Sequence, residues 1–540
     1  MNENVKPAPA QAQVKKPPKR EFNSAEMLYA WLCLLFGYLF CRVFPVVEAP
    51  LGGLIFIAVL YLVTAVILKL RGGKFTATAI ILALSALIIQ ASMILCANST
   101  IHFFAYLYAL WVYFYCIYSA FGNSIQKGFS DFIAADFLKA AFVMPFESFG
   151  SVFAALSAST SKKGGKSLAR VLIGIGLAII PTAIIVSQLS YDKGFTDILN
   201  RIFDFDFDKI LGHIGSFILG IPLAMYLFGL FVSSVDKKKS DSMSAENCTA
   251  FLGKLKFTPI VTVCIAVLPV LVVYIIFFAS QWQYYVSGFA GVLPDEFSYA
   301  EYARYGFFQL CTVSFINFVI IAAIGAFTKH GGKGADIVKK LLVVIISLMT
   351  LVLIATALAK MLMYIKCYGL TPRRVYSSWG MLLLAALFLL IIAKQFIRPM
   401  KLIAAMLLVC LVFFGVLALS GVDSFIAEYN VDRYLDGTLE TVDVDTLMYL
   451  GDAGVEQLVR LVKALDEQNG TNIAQVKPQD LHSYSLYTDL VLALRGVDYS
   501  DCDFFSFTLP QSRAKAAIEE LGITPWGEND YMKLPFNLRP

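Results

Sequence analysis

Charged residues are scarce in this sequence. Of its 540 residues only 15% are Asp, Glu, Lys or Arg, and 58% are hydrophobic. Soluble domains carry about 25% charged residues. A composition this apolar excludes an ordinary soluble enzyme or binding domain and is typical of chains whose solvent is lipid. The sequence therefore predicts an all-α integral membrane protein.

Motifs of enzymes and metal sites are also lacking. The 10 Cys show no CxxC pairing or metal spacing, and the 4 His are scattered with no HExxH. No GxSxG is present, and the P-loop-like KKGGKS of residues 162–167 has Thr160 where the first glycine is required. We therefore predict no catalytic residue, metal or cofactor. A membrane-embedded enzyme whose site follows no known motif stays open as the lowest-ranked of three functional alternatives, and the other two are given below.

Long apolar runs, in contrast, are abundant. Each is close to the roughly 20 residues that a helix needs to cross a hydrocarbon core of about 30 Å. They predict a polytopic bundle of about 11 transmembrane helices between residues 25 and 420. The predicted spans are 25–44, 51–70, 75–95, 101–121, 169–189, 211–233, 258–279, 303–327, 337–364, 377–397 and 401–420.

One of these helices is predicted to begin well before its apolar part. Pro294 breaks the chain, and Ser298 with Glu301 forms a capping box that starts a helix at Tyr299. A helix from there to Phe327 would measure about 43 Å, at about 1.5 Å per residue. Because that length exceeds the hydrocarbon core, the helix should tilt or project into water.

Loop charges predict the orientation. Residues 1–24 form a Pro- and Lys-rich tail, which we expect to be disordered and cytoplasmic. Lys and Arg are concentrated in alternate loops, as the positive-inside rule requires when the N-terminus is cytoplasmic and the C-terminus extracytoplasmic. The predicted location is the bacterial cell (inner) membrane, with the bilayer itself as the first partner.

Three segments are predicted to lie outside the spans. Residues 132–156 and 195–210 are too polar to cross, and their apolar faces suggest helices in the interface. Residues 421–540 change abruptly to a soluble, acidic composition with three amphipathic helical patterns. We expect a small, mostly α-helical extracytoplasmic domain, whose acidity argues against nucleic acid.

One group of candidate site residues falls at the predicted outer mouth. The hairpin IKCYGLTPRRVYSS is an exception to the positive-inside rule, because its basic residues lie on the predicted outer side. There are two interpretations of these basic residues. Either they join an internal ion-pair network, or they bind an anionic lipid headgroup or a small anion. The candidate anion site comprises Lys366, Arg373 and Arg374. The candidate outer-mouth polar network comprises Asp295, Glu296, Glu301 and Arg304.

A second group lies within the spans. Ser314 and Asn317 share one arc of their predicted helix and are expected to face the bundle interior. Hydrogen bonding between helices explains them without a substrate. Pro181, Pro222 and Pro269 are expected to kink three spans, which is a feature of transporter sites and also common elsewhere.

Several stretches in a fixed order resemble a family of bacterial polytopic membrane proteins known as domain of unknown function 4153/4173. They are YDKGFTDILNRIF (191–203), YLFGL (226–230), FSYAEYARYGFFQL (297–310), YGLTPRRVY (368–376), YNVDRYLDG (429–437) and VDVDTLMYLGDAGVEQLV (442–459). The resemblance runs from about residue 169 to the C-terminus. It implies a membrane protein and adds no activity, cofactor or site residue.

Two functional hypotheses follow. The first is a non-enzymatic membrane protein of envelope transport or anionic-lipid handling, supported by the bundle size, the proline-containing spans and the basic outer hairpin. The second is a sensor or scaffold whose extracytoplasmic domain binds a signalling or envelope protein. Substrate, partner and oligomeric state cannot be inferred from the sequence.

Overall fold

The computed structural model of the chain describes most of its residues. The described residues are 20–43, 49–161, 185, 189, 207–237, 245–280, 307–329, 331–397, 399–481, 485–500, 504–527, 530, 533 and 534. Their regular secondary structure is helical, and an isolated parallel bridge between Thr258 and Thr328 is the one β interaction among them.

The described helices are numbered here in chain order. Those of the first half are α1 Ser24–Val43, α2 Pro50–Leu70, α3 Ala77–Leu95, α4 Ser99–Ala120, α5 Ile133–Phe142, α6 Met144–Glu147, α7 Ser151–Ser161 and α8 Phe207–Val235. Next come α9 Ala245–Lys254, α10 Ile260–Ser280, α11 Phe307–Phe327, α12 Lys333–Tyr368, α13 Pro372–Phe396 and α14 Leu402–Leu419. The last are α15 Val422–Leu435, α16 Val444–Tyr449, α17 Asp452–Asn469, α18 Leu486–Arg495 and α19 Leu509–Leu521, with 3₁₀ turns at Ile473–Gln475, Pro478–Asp480 and Phe504–Ser506.

Ten of the described helices are long and apolar enough to cross a membrane. They coincide with ten of the eleven predicted spans. The other span, 169–189, lies outside the described residues except for 185 and 189. The predicted helix start at Tyr299 lies outside them as well. Pro222 and Pro269 each sit within one continuous helix, α8 and α10.

Helices α5, α6 and α7 pack against the bundle, and two of their charged residues are buried. Helices α5 and α6 meet α7 at a bend of 57°, and the pair is apolar enough to count as one broken span. Asp136 is 1% exposed and Lys139 2%. The Tyr118 hydroxyl and the Ile125 N–H both donate to the Asp136 carboxylate, at 3.2 and 2.9 Å. The polar residues that suggested an interfacial helix at 132–156 thus have partners inside the bundle.

Helices α1 and α8 pack with their backbones in direct contact. Gly37 and Gly220 face each other there, and a Cβ atom on Gly220 would lie 2.6 Å from the Gly37 carbonyl carbon. Only glycine permits so close an approach, as in the small-residue contacts of membrane helices. Tyr29 and Phe231 pack between the same two helices farther along them, with ring centroids 4.7 Å apart.

Apolar side chains form three cores. The first joins α1–α8, and the second joins α10–α13. The third holds α15–α19 together and also includes Ile89, Cys96 and Ile101 from the facing ends of α3 and α4. The C-terminal helices therefore share their core with one end of the bundle.

Helix ends are grouped as alternating spans require. Residues after Ser420 contact the start of α4, the α12–α13 hairpin and the start of α2. At the opposite end Arg20 and Arg71 both bind Glu26, at 2.9 Å, and Arg20 also binds Asp236. We refer to the end that carries the C-terminal helices as the outer end, a name that follows the topology predicted from the loop charges.

Candidate functional site

A groove of about 860 Å³ lies between α4, α5, α13 and α14. Its walls include Phe104 and Trp111 of α4, Tyr376 of α13 and Phe414 of α14, and Phe137 of α5 also lines it. Along α4 it extends from Thr100 to Trp111, about 16 Å at 1.5 Å per residue. The groove is almost entirely apolar. It lies where α4 and α5 of the first core meet α13 and α14.

Aromatic residues form part of the groove wall. Trp111 packs against Phe137 and Phe142 of α5, with ring centroids 6.2 and 6.1 Å apart. The Trp379 indole N–H donates to the Phe413 carbonyl at 3.2 Å. Because the polar atom of Trp379 already has a partner, its ring contributes apolar surface to the groove.

Polar side chains meet at the outer end of the groove. The Asn98 amide donates to the Tyr376 hydroxyl at 2.8 Å and to the Asp423 carboxylate at 3.1 Å. The Asn98 carbonyl oxygen accepts from the backbone N–H groups of Thr100 and Ile101, which caps α4. We call Asn98, Tyr376 and Asp423 the outer polar cluster.

Asp423 is the acidic member of this cluster. It is 4% exposed and lies in the first turn of α15. Burial raises the pKa of its carboxyl, and hydrogen bonds from Asn98 and Cys96 oppose that change. Among the described residues no cation pairs with it. The charged form of Asp423 is therefore costly because it is buried without a cation, and the neutral donors offset only part of that cost.

The three basic candidates lie close to this end but differ in their contacts. Arg374 donates to the Tyr368 and Gly369 carbonyls at 2.8 and 2.6 Å and stacks over the Tyr364 ring, 4.0 Å from its centroid. These carbonyls are left over where α12 ends at Gly369, which has a φ of 72°. Arg374 therefore caps α12 through its Nη1 atom, which donates to both carbonyls.

Lys366 and Arg373 are exposed. Arg373 precedes Tyr376 by three residues on α13, so the two lie about 60° apart around the helix and Arg373 is about 4.5 Å farther out. Arg373 thus shares a face of α13 with Tyr376, whereas Arg374, two residues before Tyr376, lies about 160° away around the helix. Anion binding by these residues stays a prediction.

The acidic partners predicted for this hairpin, Asp295 and Glu296, lie outside the described residues, as do Glu301 and Arg304. The hairpin instead contacts the C-terminal helices. Asn430 pairs with the backbone of Leu370, donating to its carbonyl at 2.8 Å and accepting from its N–H at 2.7 Å.

Ser314 and Asn317 are fully buried in the second core. The Asn317 amide donates to Thr350 of α12 at 2.8 Å, and its oxygen accepts from the Tyr274 hydroxyl of α10. The Ser314 hydroxyl donates to the Leu310 carbonyl at 2.8 Å. Asn317 thus links three helices, and the geometry is that of helix-to-helix hydrogen bonding.

Sequence reasoning did not find the groove or the outer polar cluster. Asn98 comes from the short α3–α4 connection, Tyr376 from α13 and Asp423 from α15, which are 278 and 325 residues after Asn98. One available signal was the N-cap position of Asn98 before an apolar helix. Among the described residues, no three His, Cys, Asp or Glu side chains come together as a metal site.

Comparison with known protein families places most of the chain in a family. The family model described as Domain of unknown function (DUF4153) matches residues 51–461. The match corrects the extent expected from the motifs, because it begins in α2 rather than near residue 169 and ends within α17. No curated protein and no solved structure matches the chain. The chain belongs to the DUF4153 family.

Proposed function

We propose that this DUF4153 protein is a multi-pass integral membrane protein that binds a lipid with an anionic headgroup, with a hydrocarbon chain of the lipid in the groove. The observation that carries the proposal is the groove itself, an apolar space of about 860 Å³ with polar groups at one end. Such a combination matches an amphipathic molecule better than a small polar solute.

The dimensions of the groove support a lipid chain. Its length along α4, about 16 Å, is close to half of the roughly 30 Å hydrocarbon core. A chain entering at the outer polar cluster would therefore span one leaflet and end against α5. With the N-terminus cytoplasmic, as the loop charges favour, this is the outer leaflet of the inner membrane.

The charges at the outer end support an anionic headgroup. Arg373 is exposed on α13 one turn beyond Tyr376, and a guanidinium can hold a phosphate oxygen pair. Asn98 and Tyr376 add hydrogen-bonding groups at the level of the lipid glycerol. Because Arg374 caps α12, the headgroup role falls to Arg373, with Lys366 nearby along the chain.

The test is native mass spectrometry of the protein released from its own membrane, with bound lipids identified by mass. Leu411 lines the groove, so Leu411→Trp should fill it and remove a specific lipid adduct. Leu408 lies on the same helix and is 51% exposed, so Leu408→Trp is the matched control that should keep it. An unchanged adduct in Leu411→Trp would refute the groove as the site.

A further variant separates the headgroup from the chain. Arg373→Ala should keep lipid binding but lose the preference for anionic over zwitterionic lipid. If the preference survives, the anionic part of the proposal is wrong while the groove stands.

A sensor or scaffold is the second candidate. It is favoured by the shared core in which Ile89 and Ile101 of the bundle pack with the C-terminal helices. A partner bound to those helices would act directly on the ends of α3 and α4. Crosslinking that recovers a stoichiometric protein partner, together with no specific lipid adduct, would select this alternative.

A further inference from the structure

Three phenylalanines are exposed together in the C-terminal helical region. Phe504, Phe505 and Phe507 are 69%, 49% and 39% exposed, in or next to the 3₁₀ turn Phe504–Ser506. The Phe504 and Phe505 rings touch edge to face, with centroids 5.6 Å apart. Three large apolar side chains in four residues are unfavourable in water.

The turn lies beside the start of a span. The Cβ of Phe505 would be 3.5 Å from a Cβ on Gly52, in the first turn of α2. Gly52 lies about 20° from Val59 and about 60° from Ile55 around that helix. Val59 and Ile55 are 44% and 43% exposed and belong to the outward apolar stripe of α2. The phenylalanines therefore continue this stripe beyond its outer end.

We propose that the Phe504–Phe507 segment inserts into the hydrocarbon margin of the leaflet that surrounds the outer end of the bundle. The occupant of the surface is bilayer lipid, because the phenylalanines are continuous with a helix face that lipid itself would cover. The inference rests on the proposed membrane location but not on the lipid groove. The C-terminal helices would then be held to the membrane by this turn as well as by their shared core.

The residue type, phenylalanine, also fits insertion at the edge of the hydrocarbon core. Phenylalanine side chains gain free energy by leaving water for the boundary of the acyl chains, as they do on the apolar faces of interfacial helices. A short 3₁₀ turn can enter the boundary without placing a long stretch of backbone there.

The experiment places a tryptophan in the turn. Phe504→Trp and, as control, Gln468→Trp at the exposed end of α17 are reconstituted into phosphatidylcholine vesicles brominated near the headgroup or near the chain ends. The emission of the parent protein, which has 5 Trp, is subtracted. Phe507→Trp provides a second reporter if Phe504→Trp does not fold.

We expect the fluorescence of the tryptophan introduced at position 504 to be quenched at least twofold more than that of the tryptophan introduced at 468. Lipids brominated near the headgroup should quench it more than lipids brominated near the chain ends. Equal quenching at 504 and 468, while the parent tryptophans are quenched, would overturn the insertion and leave the membrane location intact. Absence of quenching for the parent tryptophans would overturn both.

Discussion

The contact between α1 and α8 gives the sharpest quantitative prediction. A Cβ on Gly220 would lie 2.6 Å from the Gly37 carbonyl carbon and from the Tyr38 nitrogen, whereas ordinary contact begins at 3.4 Å. Gly220→Ala must therefore push the two backbones apart by about 0.8 Å. The neighbouring atoms are backbone, so no flexible side chain can yield.

The cost can be separated from helix propensity. Overpacking of this kind typically costs about 1–3 kcal/mol, while alanine gains about 1 kcal/mol over glycine in a helix interior. Gly215 lies on the same helix with nothing within 4 Å of a Cβ placed on it. Gly215→Ala thus gains the propensity without the crowding, and the difference between the two variants isolates the contact.

The assay uses Cys33, which is fully buried on α1 four residues before Gly37. Opening of the contact exposes its thiol to a maleimide dye, and a Cys33→Ala background corrects for the other cysteines. A difference of about 1–3 kcal/mol in the free energy of local opening corresponds to labelling about 5 to 140 times faster in Gly220→Ala than in Gly215→Ala. Equal labelling rates would refute the packing argument.

Three further predictions concern polar contacts. Asn317→Ala should lower the stability of the detergent-solubilised protein by about 1–3 kcal/mol, because it leaves the buried Tyr274 hydroxyl without its acceptor; an unchanged thermal midpoint would contradict this. Burial raises the Asp423 pKa, so the folded state holds this proton more tightly than the unfolded state, and stability falls as pH rises through the folded pKa. Asp423→Asn should remove that part of the fall in a series of unfolding midpoints against pH, and an identical slope would exclude Asp423 as its source. Arg433→Lys should speed proteolysis of the C-terminal helices, because a single ammonium cannot replace a guanidinium that donates to the carbonyls of Ile365, Lys366 and Thr438; unchanged cleavage would indicate that this clamp is dispensable.

The spans could be predicted because their signal is local. About 20 consecutive apolar residues suffice to indicate each one, and caps such as Thr371, whose hydroxyl accepts from the Arg374 N–H, mark a boundary in the sequence itself. Ten of the described helices accordingly match predicted spans.

The groove could not be predicted because it depends on which helices are neighbours. Nothing in the periodicity of α4 indicates that it faces α13 and α14 rather than another apolar helix. The role of Arg374 could not be predicted for a related reason. Its charge is evident in the sequence, but the carbonyls of Tyr368 and Gly369 that it binds are available only because α12 ends there. Asp136 likewise suggested a helix in the membrane interface. In the structure it is buried and accepts a hydrogen bond from the Tyr118 hydroxyl.

The bond between Asn98 and Asp423 constrains the order in which the protein can be completed. The two residues are separated by 325 positions, which takes about 16 to 65 s to synthesise at 5–20 residues per second. During that interval the outer end of α4 has been made while its carboxylate partner has not. A helix that leaves the ribosome late therefore completes the hydrogen bonding at the end of one that was made early. A chain truncated before residue 423 lacks this bond even when its apolar helices have inserted.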